Sequence, residues 1–393
     1  TITQINEAGC ISIDGSLLHH WGSKFDNIYN LWDHVTKSYG PAHDLVTLYY
    51  ADDQTDYPLD YQLWLPPDWD AVANELSNLN VHIRQDKWDN RHNNRKEWFE
   101  YISSRYRSYV VKYPELRNTY ESKVHIAETL LRKFVATYPD HKLPVVMDSG
   151  FASSELFTLI DEELHLSYVV DITTKRAIGI EGGKYIQAGE LITRLKADHN
   201  TVTVTNPEGK AIFEKVGYHY RGKKKIAYVY SGVHRLKNHY KKHKLIIHYN
   251  HEEFKGEPRI TVSNELNWFP SKILHLRRLR WPVETYHQQA KSHGLESYQV
   301  RNEPAIQSYI AFVIVAFTMM TKATTDDVLL EQLQQRIHTE ADRTLPCLRR
   351  VLQGGAMWNI AQFIYLAAEQ GHTLEDVMTH IPNGMTSRVT REN

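Results

Sequence analysis

Cysteine is almost missing from this chain: Cys10 and Cys347 are the only two in 393 residues. That excludes a disulfide framework and suits a reducing compartment, so a cytoplasmic setting is expected. Long apolar runs are scarce too. The longest, Tyr309 to Met320, is too short to span a bilayer and reads as a buried helix, so no membrane is expected. No secretory leader is visible, and the start at Thr1 rather than Met is read as a processed product or a fragment. Net charge is nearly absent, −1 with a pI near 7.1, so bulk electrostatics do not advertise a nucleic-acid partner. The most informative absence is local. No Asp or Glu occurs from Lys215 to His251, an interval that carries Arg221, Lys223, Lys224, Lys225, Arg235, Lys237, Lys241, Lys242 and Lys244.

Hydrophobic residues make up 41% and charged residues 24%, enough for a sizeable core. The length fits one large elaborated domain or two to three modest ones. Cys10–Gly15 alternates and ends at Asp-Gly, the pattern of a short strand and turn. His43–Ala51 and Tyr57–Leu65 read as two further strands. Residues 70–120 are polar, charged and aromatic, read as a surface helical excursion. Ser122–Tyr138 has the apolar spacing of an amphipathic helix. Leu143–Met147, Leu156–Leu164 and Leu166–Ile172 read as strand, helix, strand, a βαβ unit with a parallel pair. Asp148 then falls at a strand's carboxyl end, where open α/β sheets place their chemistry. From Lys175 to Asn267 short β-rich runs follow one another, Thr201–Thr205 among them, which predicts an antiparallel insertion. Ala305–Met320 is expected to pack on the sheet, and 326–393 reads as helical. The expected division is 1–174, first part of an α/β core; 175–267, a β-rich insertion; 268–325, the rest of the core; and 326–393, a helical C-terminal region.

One stretch, RRLRWPVETYHQQAKSHGLESYQVR, concentrates the chemistry. Read as a single helix, Arg277, Arg280, Glu284 and Lys291 fall within about 40–60° of one stripe. A carboxylate flanked by cations on one face suits a metal ion beside a polyanion. Asp14 and Asp148, each expected at a strand end, are the matching acids. Each member has a plainer reading. Asp14 before Gly15 would make a hairpin turn, Asp148 would start the next helix, and Glu284 with its cations would form a solvated face. The order Asp, Asp, Glu around a βαβ unit makes the joint reading the better one. Two Asp and one Glu converging on one spot would hold two Mg²⁺, or Mn²⁺ in their place, since oxygen-only ligands select hard cations. Tyr218, Tyr220, Tyr228, Tyr230 and Tyr240 interleave with the basic run, a mixture suited to phosphate contact and base stacking. Gly179–Lys184 lacks the spacing of a phosphate-binding P-loop, and His239, His243, His248 and His251 come without the cysteines usual beside a structural zinc.

These residues resemble the YREK signature of bacterial insertion-sequence DDE transposases. The signature spacing falls on Arg277, Arg280, Glu284 and Lys291, with Arg277 in place of the tyrosine. Val145-Val146-Met147-Asp148-Ser149-Gly150-Phe151 resembles the family's second-Asp motif, and Ile13-Asp14-Gly15-Ser16 its first. The likeness extends over roughly residues 10–325. It implies an α/β, RNase H-like mixed sheet flanked by helices, with a β-rich insertion between the second Asp and the Glu. It implies Asp14, Asp148 and Glu284 as catalytic and metal-holding acids. The reaction implied is Mg²⁺-dependent cleavage at transposon ends and strand transfer into target DNA, by a homodimer in a synaptic complex at the bacterial nucleoid. Arg280 and Lys291 would contact DNA phosphates, and Arg277 could do the same as a cation. Two alternatives stay open: a transposase-derived DNA-binding protein without cleavage, and an RNase H-like nuclease without strand transfer.

Overall fold

The computed structural model describes residues 5–22, 24–205 and 212–325, with isolated positions beyond. The further helices expected over 326–393, and Cys347 with them, lie outside the described stretches. The chain divides between Val315 and Ala316 into two compact units, and the first holds every strand among the described residues.

In chain order the elements are β1 (Cys10–His19), β2 (Tyr29–Asp33), β3 (Ser38–Ala51), β4 (Asp56–Trp64), α1 (Trp69–Asn78), α2 (Gln85–Asp89), α3 (Arg95–Tyr109) and α4 (Lys123–Thr137). Then come β5 (Val145–Met147), α5 (Ser154–Thr158), β6 (Tyr168–Asp171), β7 (Ala177–Gly179), β8 (Tyr185–Gln187) and α6 (Ala188–Thr205). The described part closes with β9 (Glu214–Tyr220), β10 (Lys223–Arg235), β11 (Lys242–Tyr249), β12 (Arg259–Ser263), α7 (Pro270–Leu279), α8 (Trp281–Ser292) and α9 (Glu303–Thr325).

Ten strands form one mixed sheet. At its centre β3 runs antiparallel to β1, while β5 and β6 lie parallel to β1 on its other side. β2 and β4 share the outer edge of β3, pairing with its first and second halves. α4 joins the antiparallel strands to the parallel ones. Its start is fixed by Ser122, whose hydroxyl accepts from the His125 amide at 3.2 Å. Its apolar stripe of Ile126, Ala127, Leu130, Leu131 and Phe134 buries against Ile11, Ile13, Val145 and Met147 on one sheet face. The opposite face packs Cys10, Val146 and Val169 against Ile273, Leu274, Leu276 and Leu279 of α7. α1 and α3 carry a satellite core around Trp98, Ile102 and Tyr106.

Several expectations are corrected. β1 does not turn at Asp14-Gly15: ten register pairs with β3 hold it extended to His19, so Asp14 lies within the strand opposite Thr47. Thr201–Thr205 belongs to α6, where the preceding helix carries these β-branched residues along. β9–β12 do not form a separate sheet. They continue the central one through the β12–β6 pair, and only β7–β8 stand apart. α9 is 23 residues long, because the helix runs through the polar Gln307, Ser308 and Thr321 that bound the apolar run. It is long and apolar enough, by length and composition, to cross a membrane. Its Phe312 and Val315 are exposed rather than buried on the sheet.

Two core histidines set an acid limit. Burial pushes His243 and His248 down to about 3. The Tyr168 hydroxyl lies 2.6 Å from Nε2 of the neutral His243, within hydrogen-bond distance. Because the folded state disfavours their protonation, their contribution to stability is complete above about pH 6.5 and is lost as pH falls toward 3. The urea midpoint is expected to drop through that window, and to drop less in His243→Gln.

Candidate active site on the central strands

Asp14 and Asp148 reach one spot because of strand register. Ile13 pairs with Met147 in the parallel β1–β5 ladder, so the next residues, Asp14 and Asp148, are neighbours. Ile13 and Met147 point into the α4-side core, and the period of two turns both acids to the opposite face. Asp148 also caps the short helical turn that follows, its Oδ1 accepting from the Gly150 amide at 2.8 Å. A Cβ on residue 150 would sit 3.0 Å from that oxygen, so the close approach calls for glycine.

Glu284 comes from α8, but not on one continuous helix with Arg277. Pro282 has no N–H to donate to the carbonyl of Arg278, so the ladder breaks at Arg280 and resumes as α8. The break separates the two arginines. Arg277 forks onto Asp171 at the end of β6, donating at 2.8 and 2.7 Å, and Asp171 also accepts from the Thr261 hydroxyl at 2.7 Å. The single stripe is therefore corrected: Arg277 is spent on an internal carboxylate. Arg280 lies between two acids, 2.5 Å from Glu284 and 3.9 Å from Asp14. Lys291 donates to the carbonyl of Leu17 at 2.5 Å, with Glu296 at 3.9 Å, and burial holds its amine below the ordinary lysine range.

Asp14 is the strained member. Burial pushes its carboxyl up from an ordinary 3.8 to about 7, with Arg280 opposing and the charges of Asp148 and Glu284 adding to the rise. Its nearest cation is already engaged by Glu284. His287, one turn beyond Glu284, packs over it: Nδ1 is 3.8 Å from Asp14, and Nε2 is 3.2 Å from the hydroxyl of Thr47. Burial pushes His287 down to about 3, so the ring is neutral and brings no charge to the acid. His287, Thr47 and Asp171 escaped the sequence reading. Only the i+3 spacing of His287 from Glu284 could have flagged any of them.

Among the described residues, no three His, Cys, Asp or Glu side chains close tightly enough to enclose a metal ion. The donor chemistry nevertheless suits a hard cation. All three donors are carboxylates, and Asp14 is a buried acid short of positive charge, which is the electrostatic condition a divalent ion relieves.

The basic residues from Arg221 to Lys242 divide in two. Arg221 is held by acids: its amide donates to Asp53 at 2.9 Å, and its guanidinium pairs with Asp56. Lys241 pairs with Asp161 at 2.6 Å. Lys223, Lys224 and Lys225 are exposed beside the β9–β10 turn, while Lys237 is exposed just beyond the far end of β10. Arg235 and Lys242, also exposed, line an open cleft of about 870 Å³ with Tyr185, Arg194 and Tyr230.

An antiparallel trio continued by two parallel strands, with acids on the two central neighbours, is the layout of the RNase H-like class. Within it, a family model described as "Transposase DDE domain" matches residues 105–319, and one described as "DDE superfamily endonuclease" matches residues 3–187. The first spans more than half of the chain, which belongs to the family of DDE transposase domains. No curated protein matches significantly. Among solved structures, a piggyBac transposase synaptic complex with hairpin DNA, seen by cryo-electron microscopy, aligns with a TM-score of 0.42 at 11% identity. That alignment covers 95% of this chain and 56% of the other, so this chain spans little over half of that one.

Proposed function

We propose that the protein is a DNA transposase that cleaves at transposon ends and transfers the cut strand into target DNA, with Asp14, Asp148 and Glu284 as its catalytic acids. The observation that carries this reading is the meeting of β1, β5 and α8 at the residues flanking Arg280. The three acids would hold two Mg²⁺, or Mn²⁺, which when bound activate a water or a 3′-hydroxyl and stabilise the leaving oxygen. Arg280 pairs with Glu284 and only partly offsets the charge of Asp14, and its guanidinium would be at hand for a scissile phosphate. His287 holds Asp14 against β3 without competing for charge. The exposed Lys223, Lys224, Lys225, Arg235, Lys237 and Lys242 make the 175–267 insertion the DNA-tracking part of the core. Double-stranded DNA is the partner, a homodimer the working assembly, and the bacterial nucleoid the setting.

The test is nicking of duplex DNA carrying the element's ends, with Mg²⁺, with Mn²⁺ and with chelator. Cleavage is expected only with metal, and Glu284→Gln is expected to lower it by about a thousandfold while DNA affinity holds. Metal-dependent nicking that survives in Glu284→Gln would refute the assignment. Joining of pre-cut ends separates a transposase from a nuclease of the same fold.

A further inference from the structure

The outer part of the β2–β3 ribbon takes no part in the acid site and projects beyond the carboxyl end of β1, the strand that carries Asp14. β1 ends at His19 opposite Ala42, and the His20 amide still donates to the Pro41 carbonyl at 3.0 Å, so Ser38–Gly40 of β3 runs on beyond it, paired with β2. β4 ends at Trp64 opposite Asp44 and gives no support there. At about 3.3 Å per residue, His19 stands about 17 Å from Asp14 along the strand. The projection is well ordered by its own bonds. Asp33, buried, accepts from the Val35 amide at 2.7 Å and the Thr36 hydroxyl at 3.0 Å, while the His19 ring reaches from the end of β1 to within 3.3 Å of it. Lys37 takes the left-handed conformation that closes the turn.

One face of this ribbon is aromatic. Trp32 and Tyr39 are register partners whose rings meet edge to face at 5.0 Å, and the His34 ring stands edge-on to Trp32 at 6.5 Å. Tyr39 is 67% exposed, Trp32 38%, and Val35 at the tip 88%. The ribbon's own acid is turned inward to cap the turn, while Lys37 is exposed in that turn, Lys24 is exposed in the loop that precedes β2, and Lys291 is held at Leu17, near the ribbon's root. Rings on a rigid support with cations at the margin stack on bases while neutralising phosphates.

We propose that the β2–β3 ribbon, whose Tyr39 stands about 26 Å along β3 from the register partner of Asp14, is a stacking platform for unpaired bases of the strand cleaved at Asp14, Asp148 and Glu284. This rests on the DNA-cleaving reading for its location. The experiment uses the full chain with two probes: a fully paired duplex, and the same duplex with a few terminal bases unpaired and 2-aminopurine among them. The wild type is expected to prefer the frayed probe by about tenfold and to quench its fluorescence. Trp32→Ala with Tyr39→Ala is expected to abolish both effects and leave paired-duplex affinity within about twofold. Trp32→Phe with Tyr39→Phe keeps an aromatic face and is expected to retain them. Since both side chains are solvent-facing, an unchanged melting temperature confirms an intact fold. A frayed-probe preference that persists in the alanine variant overturns the proposal, as does a variant that changes only self-association. Failure of the wild type to bind either probe would instead strike at the transposase reading itself.

Discussion

Asp14→Asn is expected to make the metal-free protein more stable and the enzyme nearly inactive. Both effects follow from one feature, a carboxyl buried beside two other acids and raised to about 7. In the unfolded chain the same group titrates near its ordinary 3.8, so the folded state penalises the charged form. The stability that the protonated group permits is complete below about pH 4, is lost as pH rises through 7, and changes no further above that. The full difference is about 4 kcal/mol, an upper bound that relaxation around Asp14 reduces. Asparagine carries no charge and keeps the hydrogen bond from the Gly15 amide. Its gain in unfolding free energy should therefore grow from nothing near pH 4 to a few kcal/mol at pH 8. Mg²⁺ or Mn²⁺ should raise the melting temperature of the wild type and not of the variant, since an ion bound only by the folded state stabilises it. Cleavage should fall by about a thousandfold, as several kcal/mol of transition-state charge stabilisation depend on this acid. Equal pH profiles for the two proteins would remove the strain at Asp14 as a cause, and persistent cleavage would remove Asp14 from the site.

The parts of this site that could be read from sequence are those whose signal is local. The strand-like runs His43–Ala51 and Tyr57–Leu65 and the helical spacing of Ser122–Tyr138 are signals within one element, and they correspond to β3, β4 and α4. The βαβ unit carrying Asp148 was legible for the same reason. What failed depends on partners. Asp14-Gly15-Ser16 has turn chemistry, but the ladder to β3 overrides it. The β-rich runs of β9–β12 mark strands without saying which neighbour they pair with, so their continuity with β6 was hidden. A run of cations at helical spacing does not say where a helix breaks. Pro282 was in plain view, but its consequence, that Arg277 turns to Asp171, needed the position of β6.

That pairing gives the second large effect. Arg277→Ala is expected to destabilise the fold by about 2–4 kcal/mol without weakening DNA binding. The guanidinium and the carboxylate are each about four-fifths buried and joined by two hydrogen bonds. Removing the arginine leaves Asp171 desolvated, with the Thr261 hydroxyl as its remaining partner in the group, and a stranded charge costs more than the pair was worth. Asp171→Asn should recover much of the loss in the double variant, because the uncompensated charge goes with it. A double-mutant cycle read by urea midpoints measures that coupling. Tyrosine, the residue of the signature that Arg277 replaces, should behave like alanine beside Asp171 and better beside asparagine. DNA binding has its own readout. A residue that neutralises a phosphate lowers the slope of log affinity against log salt by about one when it is removed, whereas one committed to an internal acid leaves the slope alone. An unchanged slope is expected for Arg277→Ala and a reduced one for Lys224→Ala. A reduced slope for Arg277→Ala would mean that the arginine leaves Asp171 for the backbone when DNA binds, and the cation at this position would then count among the DNA contacts after all.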